Sequence, residues 1–232
     1  MTKERLSKFL ASSGIASRRA CEELIFDGQV SVNGEVCLVP QTKVDAEDKI
    51  LVRGKDVKSK PEFVYFLLNK PKGYVCSHAK ASHKHIVMDL FKDHSGRLVT
   101  AGRLDKDTEG LLIVTNDGEY ANKVIHPSSN LTKEYLVKVS EEVTPEHLYA
   151  ISSGTLVEGV FVKPKKVSKV RRGTLRISVS EGKKHEVRRL AAAAGLNVIS
   201  LTRIRLGGLL LGNIPVGSWK ALGEKERMAV FQ

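Results

Sequence analysis

Residues 102–117 read GRLDKDTEGLLIVTND, with four carboxylates, Asp105, Asp107, Glu109 and Asp117, at the two ends of an apolar run from Leu111 to Val114. A carboxylate acts as nucleophile, general base or general acid when burial and neighbouring charges set its proton affinity. Three of the four have ordinary duties within reach. Asp107 can accept from turn amides, Glu109 can face solvent, and Asp117-Gly118 is a turn pair. Asp105 has commonplace roles too, an Asx turn or an ion pair with Arg103, and spacing alone leaves it level with its neighbours. A glycosidase or nucleosidase built on Asp105 and Glu109 would need a spaced carboxylate pair beside a sugar-sized cleft. No second carboxylate is placed persuasively for that.

Other chemistries find little support. There is no glycine-rich phosphate loop, dinucleotide fingerprint or His-Glu-x-x-His, which removes the usual marks of ATP, nicotinamide and a catalytic zinc of that type. Cys76, His78, His83 and His85 fall together in CSHAKASHKH. Their spacing matches no familiar zinc pattern, so the expectation is a solvated loop and no metal. The three cysteines, Cys21, Cys37 and Cys76, are scattered and odd in number, as suits reduced thiols.

The charge carries more information. The 232 residues have a net charge of +12 and are 41% apolar. Residues 1–60 hold 11 Lys or Arg against 9 Asp or Glu, and residues 61–232 hold 27 against 17. Nearly all of the second excess lies between Lys163 and Arg189. There Lys163, Lys165, Lys166, Lys169, Arg171, Arg172, Arg176, Lys183, Lys184, Arg188 and Arg189 face only Glu181 and Glu186. Such a cationic stretch in a strand-like segment is the footprint of a polyanion partner, nucleic acid above all. The opening MTKERLSKFL places charges where a secretory signal needs apolar residues, and no run of apolar residues is long enough for a membrane span. The expected location is cytoplasmic.

These residues need a frame. Leu6, Phe9 and Leu10 follow helical spacing up to Ser12-Ser13-Gly14, and a second helix is expected from an N-cap at Ser17 to Asp27-Gly28. Arg18 and Arg19 in its first turn oppose the helix dipole, which a bound phosphate would explain and simple tolerance of two exposed arginines would explain equally well. Val30 and Val32 alternate as in a strand, and Asn33-Gly34 predicts a hairpin turn leading to Val36. Residues 53–61, RGKDVKSKP, read as a linker. Beyond it, FVYFLLNKPKGYV opens with a strand and a Lys-Pro-Lys-Gly turn. Strand-like runs follow at Leu98–Ala101, Leu111–Thr115, Tyr135–Val139 and Leu175–Val179, with helical runs at Glu119–Ile125, Pro145–Ile151 and Lys184–Ala194. Strands and helices in no regular alternation predict an α+β domain around a mixed sheet.

The stretch LSKFLASSGIASRRACEELIFDGQVSVNG resembles the small RNA-binding module named after ribosomal protein S-four. GRLDKDTEGLLIVTNDGE is similar to the signature of the RNA pseudouridine synthases, in the branch where a catalytic domain follows such a module. LLNKPKGYV, KEYLVKV, EGKKHEVRRLAAAAG and the tail SLTRIRLGGLLLGNIPVGSWKAL agree with that family in order. The resemblance implies an S-four-type module with its linker over residues 1–60 and a catalytic domain around a mixed, largely antiparallel sheet over residues 61–232. It implies isomerisation of a uridine in ribosomal RNA, the large subunit favoured; substrate and product are isomers, so no cofactor is expected, and a monomer is the default with the oligomeric state open. It assigns the catalytic role to Asp105, the active-site tyrosine to Tyr135 and the basic partner of Asp105 to Arg188. Lys70 and Arg103 are expected to bind phosphate or buttress the pocket. Arg18, Arg19, Lys163, Lys165, Lys166, Arg171, Arg172, Lys183 and Lys184 are expected to hold the RNA backbone. Two departures stand out: HAKASHKH replaces a stretch that often contains Pro or Arg, and Glu186 stands where Gln is common. The alternative is a non-catalytic rRNA-binding or assembly factor, which would not need Asp105, Tyr135 and Arg188 together.

Overall fold

The computed structural model describes residues 3–45, 47–57, 62–77, 85–94 and 96–232. The chain divides into two compact units, one of Met1–Phe63, Ser95–Arg97 and Asn116–Gly118, the other of Val64–His94, Leu98–Thr115 and Glu119–Gln232. Among the described residues no helix is long and apolar enough to cross a membrane.

The small unit follows its caps and turns. Helix α1, Leu6–Ser12, is followed by α2, Arg18–Phe26, whose N-cap Ser17 accepts from the Ala20 amide at 3.0 Å. Strands β1 (Val30–Val32), β2 (Glu35–Val36), β3 (Ile50–Val52) and β4 (Lys55–Asp56) form an antiparallel sheet in the order β2-β1-β3-β4. Asn33 (φ 54°) and Gly34 (φ 93°) make the tight turn between β1 and β2, the positive-φ pair that a two-residue hairpin requires. The Asn33 side chain also ties this turn down by donating to Asp48 (2.7 Å) and accepting from the Lys49 amide (2.9 Å). Leu6, Leu10, Cys21, Ile25, Val30, Val44 and Ile50 form the core between helices and sheet.

One correction falls here. The segment expected to be a linker begins as structure: Arg53 and Gly54, both at positive φ, turn β3 into β4, and Leu51 pairs with Asp56. Its polarity reflects exposure of an edge strand. Residues 58–61 of that segment lie outside the described residues.

The large unit is α+β. The strands of its main sheet are β5 (Tyr65–Lys70), β6 (Val99–Ala101), β7 (Glu109–Thr115), β8 (Lys133–Val139), β9 (Lys166–Arg171), β10 (Thr174–Val179), β11 (Val198–Leu206), β12 (Leu209–Leu210) and β13 (Trp219–Ala221). They form one sheet in the order β9-β10-β8-β11-β7-β5-β13, with β6 on β7 and β12 on β11. The pairings are antiparallel except for β7 with β11, which run parallel over two residue pairs, Glu109 with Thr202 and Gly110 with Arg203.

Both faces are covered, so the middle of β7 is apolar: Leu111, Leu112, Ile113 and Val114 are all fully buried. One face of this half packs Leu111 and Ile113 with Ala121 and Val124 of α3, Gly118–Ile125. The other packs Leu112 and Val114 with Leu68, Phe91 and Leu104. In the other half, Val137, Leu175 and Ile177 meet Ile151 of α4, Pro145–Ser153, and Val187, Leu190 and Ala191 of α5, Glu186–Ala193. Burial on this scale is the main source of stability, and it makes the sheet a rigid base for the loops at its edge.

Candidate active site

Residue pairing across the sheet sets up the site. Lys70 pairs with Gly110, Gly110 with Arg203, Arg203 with Tyr135, and Tyr135 with Ile177. Directly opposed residues in neighbouring strands project from the same face. One transverse row therefore carries Lys70, Gly110, Arg203 and Tyr135, and the loop from β6 to β7 that bears Asp105 runs into it just ahead of Gly110.

That loop is fixed from several directions. Leu104 is buried among Leu68, Leu112 and Phe91, and its backbone meets the Cys76 thiol, which lies 3.5 Å from both the Leu104 amide and its carbonyl. The Lys70 ammonium, fully buried, donates to the carbonyls of Thr108 (2.8 Å), Asp105 (3.1 Å), Pro71 (3.1 Å) and Lys106 (3.5 Å). The Gly73 amide adds a bond to the Lys106 carbonyl at 2.8 Å. Burial pushes the Lys70 pKa down, opposed by the charges of Cys76, Glu109, Asp105 and Asp107. An ammonium satisfied by carbonyl oxygens is the arrangement that makes a buried cation tolerable. At the end of the loop Gly110 has φ 103°, and a Cβ there would collide with the Arg203 backbone. Glycine is required both for that dihedral and for the close approach of β11.

Asp105 itself is left half open. Its Oδ2 lies 3.3 Å from Nδ1 of His185, and the two side chains are 41% and 42% exposed. His185 has φ 55° and immediately precedes α5. Arg188, one turn into that helix, sends Nη2 to the Asp107 carbonyl at 2.9 Å. The expected pairing of Arg188 with the Asp105 carboxylate is therefore corrected: the guanidinium holds the loop's backbone two residues further on, and His185 is the side chain that meets Asp105. Tyr135 lies partly buried between the two cores of the large unit, with its row neighbour Arg203 beside it.

Lys70 also departs from expectation. It cannot reach a phosphate while its ammonium is enclosed by the loop carbonyls, so it is removed from the RNA-contacting residues. The other cations in that group, Arg18, Arg19, Arg103, Lys163, Lys165, Lys166, Arg171, Arg172, Lys183 and Lys184, are exposed. Some already have partners. Arg172 lies 3.8 Å from Glu142, and the Lys165 ammonium 3.1 Å from the Thr132 hydroxyl. Of the Cys76 loop, His85 stacks on Tyr74 at 5.2 Å, and His78 and His83 lie outside the described residues. Among the described residues no cluster of three or more His, Cys, Asp or Glu could hold a metal.

Two participants escape sequence reasoning, His185 and Arg203, and Cys76 enters it only as a candidate metal ligand, not as a bracket for the loop. Only Arg203 left a trace, as a cation midway through the otherwise strand-like VISLTRIRL.

Comparison with known proteins agrees with this geometry. The model of the RNA pseudouridylate synthase family matches residues 64–193, and that of the S4 domain residues 4–50. A chloroplastic protein of Arabidopsis thaliana, provisionally named a ribosomal large subunit pseudouridine synthase, is 46% identical over 98% of the chain, which spans 60% of its length. The ribosomal large subunit pseudouridine synthase B of Bacillus subtilis is 38% identical, with 96% of this chain and 93% of that protein covered. A crystal structure of a pseudouridylate synthase superposes with a TM-score of 0.70 at 30% identity, covering 98% of this chain and 99% of the other. The chain therefore belongs to the RNA pseudouridylate synthase family, an enzyme of the isomerase class that carries an S4 domain ahead of its catalytic fold.

Proposed function

We propose that the protein converts a uridine of large-subunit ribosomal RNA to pseudouridine, with Asp105 as the carboxylate that acts on the extruded nucleotide. The observation that carries this reading is the construction of the 104–108 loop. A buried lysine, a thiol and an arginine all hold its backbone, while the Asp105 carboxylate stays half exposed beside His185. The names of the relatives support ribosomal RNA, and the large subunit in particular.

Uridine and pseudouridine are isomers, so the reaction needs no cofactor. It needs a carboxylate beside the sugar, a surface for the freed base and a means of extracting the nucleotide. Two routes are open to Asp105: attack on the anomeric carbon, or removal of the 2′ proton. His185 steadies its carboxylate and Arg188 steadies the loop beneath it. Tyr135 offers a ring edge for the uracil. Arg103, Arg18, Arg19 and the stretch from Lys163 to Lys184 hold the phosphates by charge. The S-four-type module with its connecting segment occupies residues 1–60 and the catalytic domain residues 61–232. The protein works as a monomer in the cytoplasm.

The test is pseudouridine mapping of ribosomal RNA from cells lacking the protein, complemented with wild type or Asp105→Asn. One or more sites should vanish in the deletion, return with wild type and stay absent with the variant. Restoration by Asp105→Asn would refute the catalytic assignment. No lost site in the deletion would leave only an RNA-binding factor.

A further inference from the structure

Arg203 is the group that the site's construction leaves unexplained. It is 4% exposed in the middle of the sheet. Its Nε donates to the Leu111 carbonyl at 2.8 Å, just beyond the last parallel pair, Gly110 with Arg203. One nitrogen suffices for that. Nη2 is fully enclosed and has no hydrogen-bond partner, and among the described residues no carboxylate pairs with the guanidinium. An uncompensated buried cation is costly and persists where something supplies the opposite charge. Lys133 feels the same excess: burial lowers its pKa most, and the Arg203 charge adds to that.

The reaction makes an anion at this place. When the C1′–N1 bond breaks, its electron pair goes to N1 and the uracil departs as an anion with charge spread over O2 and O4. Meanwhile Asp105 either bonds C1′ or takes the 2′ proton. As C5 joins C1′, Asp105 releases the carbon or returns the proton, and the C5 proton passes to N1, so atoms and charge balance. A base resting on Tyr135 would lie one strand away from Arg203, its directly opposed residue on the same sheet face. We infer that Arg203 is a further catalytic residue, whose guanidinium receives the detached uracil anion through O2 or O4. This rests on the isomerase reading above. A fixed donor aimed at developing charge inside a site closed to water acts more strongly than the same donor in solution.

The test uses the full-length protein on in vitro transcribed large-subunit rRNA made with uridine or with 5-fluorouridine, whose base forms the more stable anion. Modification by wild type establishes the isomerase reading first, and its failure there would count against that reading alone. Arg203→Met should then slow single-turnover loss of uridine by about 100-fold, with RNA affinity changed by less than about twofold. The deficit should shrink at least several-fold on the fluorinated RNA. Arg203→Lys should lie between the two proteins. Equal deficits on both RNAs, or a loss confined to RNA affinity, would overturn the inference and leave Arg203 as a strand bracket. If Arg203→Met does not fold, as judged by circular dichroism, the same comparison is made with Arg203→Lys, and equal deficits there overturn it likewise.

Discussion

Two cationic regions of the large unit behave in opposite ways. At the sheet's edge, Lys166, Lys169 and Arg171 on β9 project into solvent, with Lys163 just before them. In the sheet's middle, Lys70 and Arg203 are enclosed; Lys70 gives its donors to carbonyls of the loop that bears Asp105, and Arg203 gives Nε to the Leu111 carbonyl. The same charge therefore does different work. An exposed cation lends a field that extends about a Debye length and falls with salt. A buried one fixes geometry, and its removal leaves acceptors stranded. Charge counting along the sequence registers the first kind and is blind to the second.

Lys70→Met tests this contrast at its strongest point. The substitution keeps most of the volume but leaves the carbonyls of Thr108, Asp105 and Pro71 without their buried donor. Stability should drop by about 3 kcal/mol, read as a melting temperature lower by about 6 to 12 °C. The single-turnover rate should fall by about 100-fold, the effect of a misplaced catalytic group. RNA affinity at low salt should hardly move. A variant that lost affinity and kept its melting point would place Lys70 among the phosphate contacts after all.

The edge should answer in the reverse pattern and more gently. In the triple variant Lys163→Ala, Lys166→Ala, Arg171→Ala each exposed site should alter stability by no more than about 0.5 kcal/mol. RNA affinity should fall, and the slope of log K against log salt should become shallower by about 2 to 3 if all three meet phosphates. Titration at several salt concentrations measures it. An unchanged slope would mean that the cationic edge is only a solvated face that keeps β9 from pairing with other chains.

This division also explains what the sequence made legible. The capped helices, the Asn33-Gly34 turn, the strand at Leu111 and the mixed α+β class follow from local rules, because caps, turns and periodicity are written within a few residues. Asp105 stood out only with the help of its family signature. The true contacts of Arg188 and Lys70 could not be read, since both depend on which carbonyl of a distant loop lies nearest. The pairing of Gly110 with Arg203 spans 93 positions, and nothing local announces it. His185 shows the same limit, for its meeting with Asp105 requires a positive φ just ahead of α5.

Glu186, beside His185, provides the smallest test and the clearest sign. Its side chain is buried next to the cationic segment, yet burial pushes its pKa up more than the Lys183 amide and the nearby lysines pull it down. The folded protein thus holds this proton more tightly than the unfolded chain. Stability should decline as pH rises from the ordinary carboxylate range to the raised value, and stay at the lower level above it. Glu186→Gln keeps an acceptor for the Lys183 amide while removing the titration. It should match wild type at the acid end and exceed it near neutrality by about 1 to 3 °C in melting temperature. A gain of the same size at every pH would instead point to better packing. A loss near neutrality would mean that the surrounding lysines stabilise the carboxylate, and that even a buried charge in this segment belongs with the field of the edge.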